Sequence, residues 1–294
     1  MDLETLRFLA APFVASLILA GIHAYLGVHV VERGVIFVDL SLAQFAAFGS
    51  TLAMLLPFTG QDAHGPWVYW TGLVFTFVGA AIFSTIRIRR ARIPQEAVIG
   101  IAYAVASAAT ILAMSKATSE SEHLKDMLVG NILAVSWWEV GKTAALYAAI
   151  GVFHFVFRRR FLAISMDHEK AEREGVPVRF WDFLFYASFG FVVTSSVLIA
   201  GVLLVFCYLI VPSVAAMLYA DRVGPRLAIG WTMGTVVSAL GIYLSVELDL
   251  PTGAAMVCTF GLVLILMAIV RPVLQRNGAF VPAPSAVSPR AVRE

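Results

Sequence analysis

Four side chains set in apolar sequence have the chemistry to hold a cation: His23, His29, Asp39 and Gln44. An isolated carboxylate in a hydrophobic run needs a cation, a cluster of donors or water to offset its desolvation. Imidazole adds the borderline-soft nitrogen that transition metals favour. Ionisable groups inside a membrane crossing are costly and default to a place on a transport route. The first two apolar runs turn back at Glu32 to Gly34, and an antiparallel hairpin there sets His29 and Asp39 at similar depth. His23 and Gln44 form a second level about one and a half helical turns higher. Either histidine is equally at home bonding a neighbouring carbonyl, and Asp39 is the strongest of the four. A transport site must also release its cargo, so two or three protein ligands completed by water suit it better than a closed cage.

A second kind of chemistry lies in the charged segment that ends at Pro177. Asp167-x-Glu169-x-Ala171-x-x-x-Gly175 reads as a short helix. Ser165 or Asp167 caps its start, Glu169 lies in the favoured first turn, Gly175 suits a left-handed exit and Pro177 stops continuation. Gly141-Lys142-Thr143 resembles the end of a phosphate loop, but Ser136 stands where that loop needs its first glycine. Trp137 and Trp138 ahead of an Ala-rich run instead read as an interfacial aromatic belt opening a span. Cys207 and Cys258 both lie in apolar runs, where a thiol packs as a small hydrophobe.

These residues are positioned by membrane helices. Charged residues are only 14% of the 294, against 60% hydrophobic, and Phe183 to Ala220 contains 38 residues without one charge. The expected spans are Phe8 to Val30, Val35 to Leu56, Trp67 to Ile86, Gln95 to Met114, Trp137 to Phe157, Asp182 to Ala200, Val202 to Ala220, Leu227 to Val246 and Thr252 to Val270. The fold class is therefore all-α, a polytopic membrane protein of about nine helices. With alternate loops inside the cell, 17 of the 21 Lys and Arg lie there, and only Arg7, Lys116, Lys125 and Lys142 fall elsewhere. That division puts the amino terminus outside and the carboxyl terminus inside. It also requires a tight turn at Gly201, because a single crossing over Phe183 to Ala220 would move Arg222 and Arg226 outside.

Residues 1–276 form one transmembrane domain with an inner loop at 158–181, and 277–294 read as a disordered cytoplasmic tail. Met1 to Arg7 carries Asp2 and Glu4 and lacks the cationic start of a cleavable leader, so the first run is expected to remain a permanent span. The formal charge of +2 gives no footing for a nucleic-acid partner. Acids and histidines in the outer loops, Asp62, His64, Glu120, Glu122, His123 and Asp126, are expected to be solvated.

The charged pattern at Asp167 to Gly175 resembles the permease subunits of ATP-binding-cassette importers for zinc, manganese and iron. So do Ile99-Gly100 opening a span, the stretch from Leu128 to Ser136, and Ala200 to Val205 running into Leu209 to Ala216. Leu248 to Gly253 before the last span completes the set, and the resemblance covers about Phe8 to Val270 in collinear order. It extends to the architecture of the vitamin B12 and siderophore permeases, without their first span.

The resemblance implies a homodimer in the bacterial cytoplasmic membrane, surrounded by lipid, with no ATPase site and no permanent cofactor. A divalent metal would arrive from an external solute-binding protein. A separate cytoplasmic ATPase would grip Asp167, Glu169, Ala171 and Gly175. The family usually carries Gly-Asp-x-x-x-His in the second span, whereas here Gln44 replaces the His and the acid, Asp39, stands one place earlier. Glutamine binds transition metals more weakly than imidazole, which keeps a metal chelate, siderophore or corrinoid, as the alternative cargo. A third reading, an ion-gradient transporter, would want inverted repeats and several intramembrane acids, and the sequence has no convincing repeat and few such acids.

Overall fold

The computed structural model describes residues 3–56, 66–86, 94–115 and 132–276. The expected tail, the acidic outer loops and the basic loop at 87–92 lie outside them. Among the described residues the protein is helical throughout: α1 (Leu3–Glu32), α2 (Val38–Leu55), α3 (Pro66–Ile86), α4 (Gln95–Met114), α5 (Trp137–Val156), α6 (Arg158–Met166), α7 (His168–Arg173), α8 (Val178–Tyr219), α9 (Val223–Glu247) and α10 (Thr252–Arg276), with a 3₁₀ turn at Ile132–Ala134. Seven helices are individually long and apolar enough to cross a membrane, and α5 bends by 74° into α6.

The 42-residue α8 is two helices, broken at Gly201 by φ 75° and ψ 160°. Its two ends reach the same end of α1. Asp182 pairs with Arg33, while the Ala220 carbonyl accepts from Arg226, which pairs with Glu32. A straight helix would hold residues 182 and 220 roughly 57 Å apart. Contacts in between follow the same fold-back: Ser196 faces His23, and Ser213 donates to the Ala24 carbonyl. Thus α8 enters and returns; with its limbs counted separately and the bent α5–α6 pair counted as one crossing, the described residues give about nine crossings. The left-handed φ at the turn suits a residue without Cβ.

The hairpin of α8 forms the centre of the molecule. Phe185, Phe189, Val192, Leu204, Tyr208 and Leu209 are fully buried in the main apolar core. At Gly27 a Cβ would lie 1.9 Å from the Leu209 carbonyl oxygen, so α1 and the second limb of α8 meet backbone to backbone. Gly230 and Gly234 face Ala24 and Ala20 of α1, so their helical spacing serves packing inside one subunit.

One expectation changes. Although a short turn joins them, α1 and α2 barely touch: α2 packs on α3 and α4, and α8 packs against both α1 and α2. Sequence proximity suggested a packed hairpin, but the more apolar α8 buries more surface against each helix than they would against each other.

Gly141-Lys142-Thr143 lies inside α5, whose start is fixed by a capping box between Ser136 and Glu139. Helix α6 was not expected as a separate element. Its three arginines lower its mean apolarity, yet Phe161, Ile164 and Ser165 are buried at helical spacing.

Candidate functional site

The polar residues form two groups, one among the long helices and one beside α6 and the start of α8. His23 is fully buried, and its Nδ1 lies 2.8 Å from the Leu19 carbonyl. A carbonyl only accepts, so Nδ1 carries a hydrogen, and Nε2 lies 3.3 Å from Ser196 Oγ, whose hydroxyl donates to the Val192 carbonyl at 2.7 Å. A carbonyl that fixes the tautomer in this way is the usual support of a metal-ligating imidazole. The ring sits between Tyr147 and Tyr208, with centroids at 6.2 and 6.5 Å.

Asp39 lies in the first turn of α2 and is 2% exposed. Its Oδ1 has no hydrogen-bond partner among the described residues. Glu96 at the start of α4 and Cys207 in the second limb of α8 are close enough to feel its charge. Gln44, further along α2, is half-buried. The two histidines face α8 from α1, and Asp39 approaches that helix from α2. In this conformation the four residues are not gathered, and no three His, Cys, Asp or Glu among the described residues stand close enough to hold a metal.

His29 belongs to the second group. Its Nδ1 is 2.8 Å from Ser165 Oγ, which accepts from Arg33 Nε at 2.8 Å. Arg33 Nη1 donates to Asp182 Oδ1 at 2.6 Å, and the guanidinium lies 4.0 Å over the Phe185 ring. Both charged side chains are almost wholly buried, at 0% and 1% exposure. His154 of α5 extends the network: Nδ1 is 3.3 Å from Tyr25 Oη and Nε2 is 2.8 Å from Ser188 Oγ. The sequence reading used Arg33 only as a topological charge, Ser165 only as a possible cap and Asp182 only as a boundary, and passed over His154. Opposite charges at the inner ends of two spans were the available signal for the ion pair.

The expected cytoplasmic helix is present as α7. Asp167 caps it by accepting from Lys170 N at 2.9 Å. Gly175, at φ 80°, ends it: Gly175 N donates to the Glu172 carbonyl and Val176 N to the Ala171 carbonyl, the two bonds of a Schellman exit. Ala171 is buried against Ile164, Val176 and Val178, which seats the helix. Glu169 and the other charges of its outer face are exposed.

The chain is an all-helical membrane protein with buried polar side chains among its helices and a short, capped helix whose charged face is exposed. Residues 5–271 match the ABC 3 transport family, and the chain belongs to it. It is 30% identical to the manganese transport system membrane protein MntC of Listeria innocua, over 64% of this chain and 69% of that one. It is 22% identical to the manganese import system permease protein ScaB of Streptococcus gordonii, over 92% and 94%. The fold is shared with PsaBC from Streptococcus pneumoniae in complex with Fab, with a TM-score of 0.76 and 24% identity over 94% and 97% of the two chains. The protein is the metal-importer permease type of this family, an integral protein of the bacterial cytoplasmic membrane.

Proposed function

We propose that the chain is the membrane half of an importer for manganese or a closely similar divalent metal, working as a homodimer with a separate ATPase and an external binding protein. The relatives named for manganese support the cargo. The observation that carries the site is Asp39, a buried carboxylate with an unpartnered oxygen beside the central helix. Asp39 supplies charge, and His23 or His29 supplies nitrogen as the metal passes. His23 is the better placed of the two, because the Leu19 carbonyl holds its Nδ1 while its Nε2 faces α8 at the core. Gln44 offers a weaker oxygen at the upper level.

ATP-driven closure of the ATPase pair would move α7, which Asp167, Ala171 and Gly175 hold in shape, while Glu169 lies on its docking face. The spans would then rock between outward and inward access. The test is uptake by proteoliposomes holding the permease, its ATPase and its binding protein. Manganese uptake that requires ATP and the binding protein is the expected result. Uptake of an iron chelate alone would favour the second reading that Gln44 supports, and uptake driven by an ion gradient without ATP would overturn both.

A further inference from the structure

We propose that Arg33 is the positioning residue through which movement of α7 reaches Asp39; this rests on the importer reading above. Helix α7 packs on α6 and on the start of α8, and its route to α1 runs through them. Arg33 holds both neighbours. Its Nε is bonded to Ser165, two residues before the Asp167 cap, and its Nη1 to Asp182, within the first turns of α8. One guanidinium therefore grips the chain on either side of the docking helix. Ser165, which accepts from Arg33, has its own hydrogen to give, and His29 Nδ1 stands in position to take it. This second tie returns to α1 one turn earlier.

Five residues separate Arg33 from Asp39. The intervening turn is stiff: Gly34 N donates to the Val31 carbonyl, Val35 N to the Val30 carbonyl and Val38 N to the Val35 carbonyl. Displacing Ser165 and Asp182 together must drag Arg33, and the turn passes that displacement to the first turn of α2. A planar fork with two separate bonds transmits direction, which a single-point ammonium contact does not.

The experiment compares metal uptake and ATP hydrolysis in the same proteoliposomes, reconstituted with the whole complex. Arg33→Lys and Ser165→Ala are expected to keep ATPase association and hydrolysis while metal moved per ATP falls, roughly tenfold for Arg33→Lys and less for Ser165→Ala. Ser165→Thr, which keeps the hydroxyl, is expected to restore the ratio. Uptake and hydrolysis falling by the same factor, an unchanged ratio, or equal behaviour of the Ala and Thr variants would overturn the proposal. Should Arg33→Lys fail to assemble, the Ala and Thr pair at Ser165 still decides. Failure of the importer reading shows in the wild-type vesicles, whereas failure of this proposal shows only in the variants.

Discussion

Arg33 and Asp39 lie six residues apart, both buried, and their surroundings treat charge in opposite ways. Around Arg33 a carboxylate, a hydroxyl and an aromatic face converge on the guanidinium. Around Asp39 no salt bridge forms among the described residues, and Oδ1 is left without a hydrogen bond. Arg33 Nη2 has no partner among the described residues, yet a buried charge held by an ion pair and a second hydrogen bond is costly to disturb. A buried carboxylate with unused capacity is expensive to keep, and its value lies in what it can bind. On the proposed function, the contrast would separate the part of the molecule that transmits force from the part that handles cargo.

Asp39→Asn should break the contrast most sharply. Metal accumulation is expected to fall to background, while the purified protein melts no lower than wild type, because an amide is cheaper to bury than an unpaired carboxylate. Normal accumulation in this variant would remove Asp39 from the path. Arg33→Ala acts oppositely: breaking the buried ion pair with Asp182 should cost about 3–5 kcal/mol, read as a large drop in melting temperature. Arg33→Met combined with Asp182→Leu should regain most of that stability without regaining transport.

Gly175→Val forces a β-branched residue into left-handed backbone, at a cost of about 1–2 kcal/mol confined to the end of α7. Copurification with the ATPase and metal uptake should fall together while membrane insertion is intact. Unchanged copurification would argue against α7 as the docking element. The smallest effect on uptake is expected at Arg226→Ala. Its pair with Glu32 is mostly buried, at 10% and 22% exposure, and it also donates to the Ala220 carbonyl, so a loss of about 1–3 kcal/mol in stability is expected, with uptake near wild type. A coupling defect there as large as at Arg33 would show that the whole inner end of α1, not one guanidinium, carries the movement.

The architecture was legible because a bilayer imposes length and apolarity on each crossing. Gln95 to Met114 was placed to the residue, and the turn at Gly201 followed from the positions of Arg222 and Arg226 alone. Helix α7 was legible because Asp167, Ala171, Gly175 and Pro177 are local punctuation, each acting within a few residues. The clamp was not, since Arg33 meets partners 132 and 149 positions away, and nothing in local spacing encodes such a meeting. The same limit applied to the histidines. The hairpin arithmetic spoke only to depth, whereas which helix each side chain faces was decided by α8 packing against both α1 and α2.

The break at Gly201 bears on how the chain is made as well as how it is folded. During synthesis the inserting machinery meets 38 uncharged residues in succession, with no lysine or arginine to mark where one crossing stops and the next begins. The handedness of a single residue then decides on which side of the membrane everything after it emerges. By the positive-inside rule, Arg222 and Arg226 favour the folded-back arrangement over a single crossing. An insertion or substitution that straightened this turn would do more than loosen a helix. It would invert the last two crossings and separate Arg226 from Glu32, leaving a chain with intact helices and a scrambled map of inside and outside.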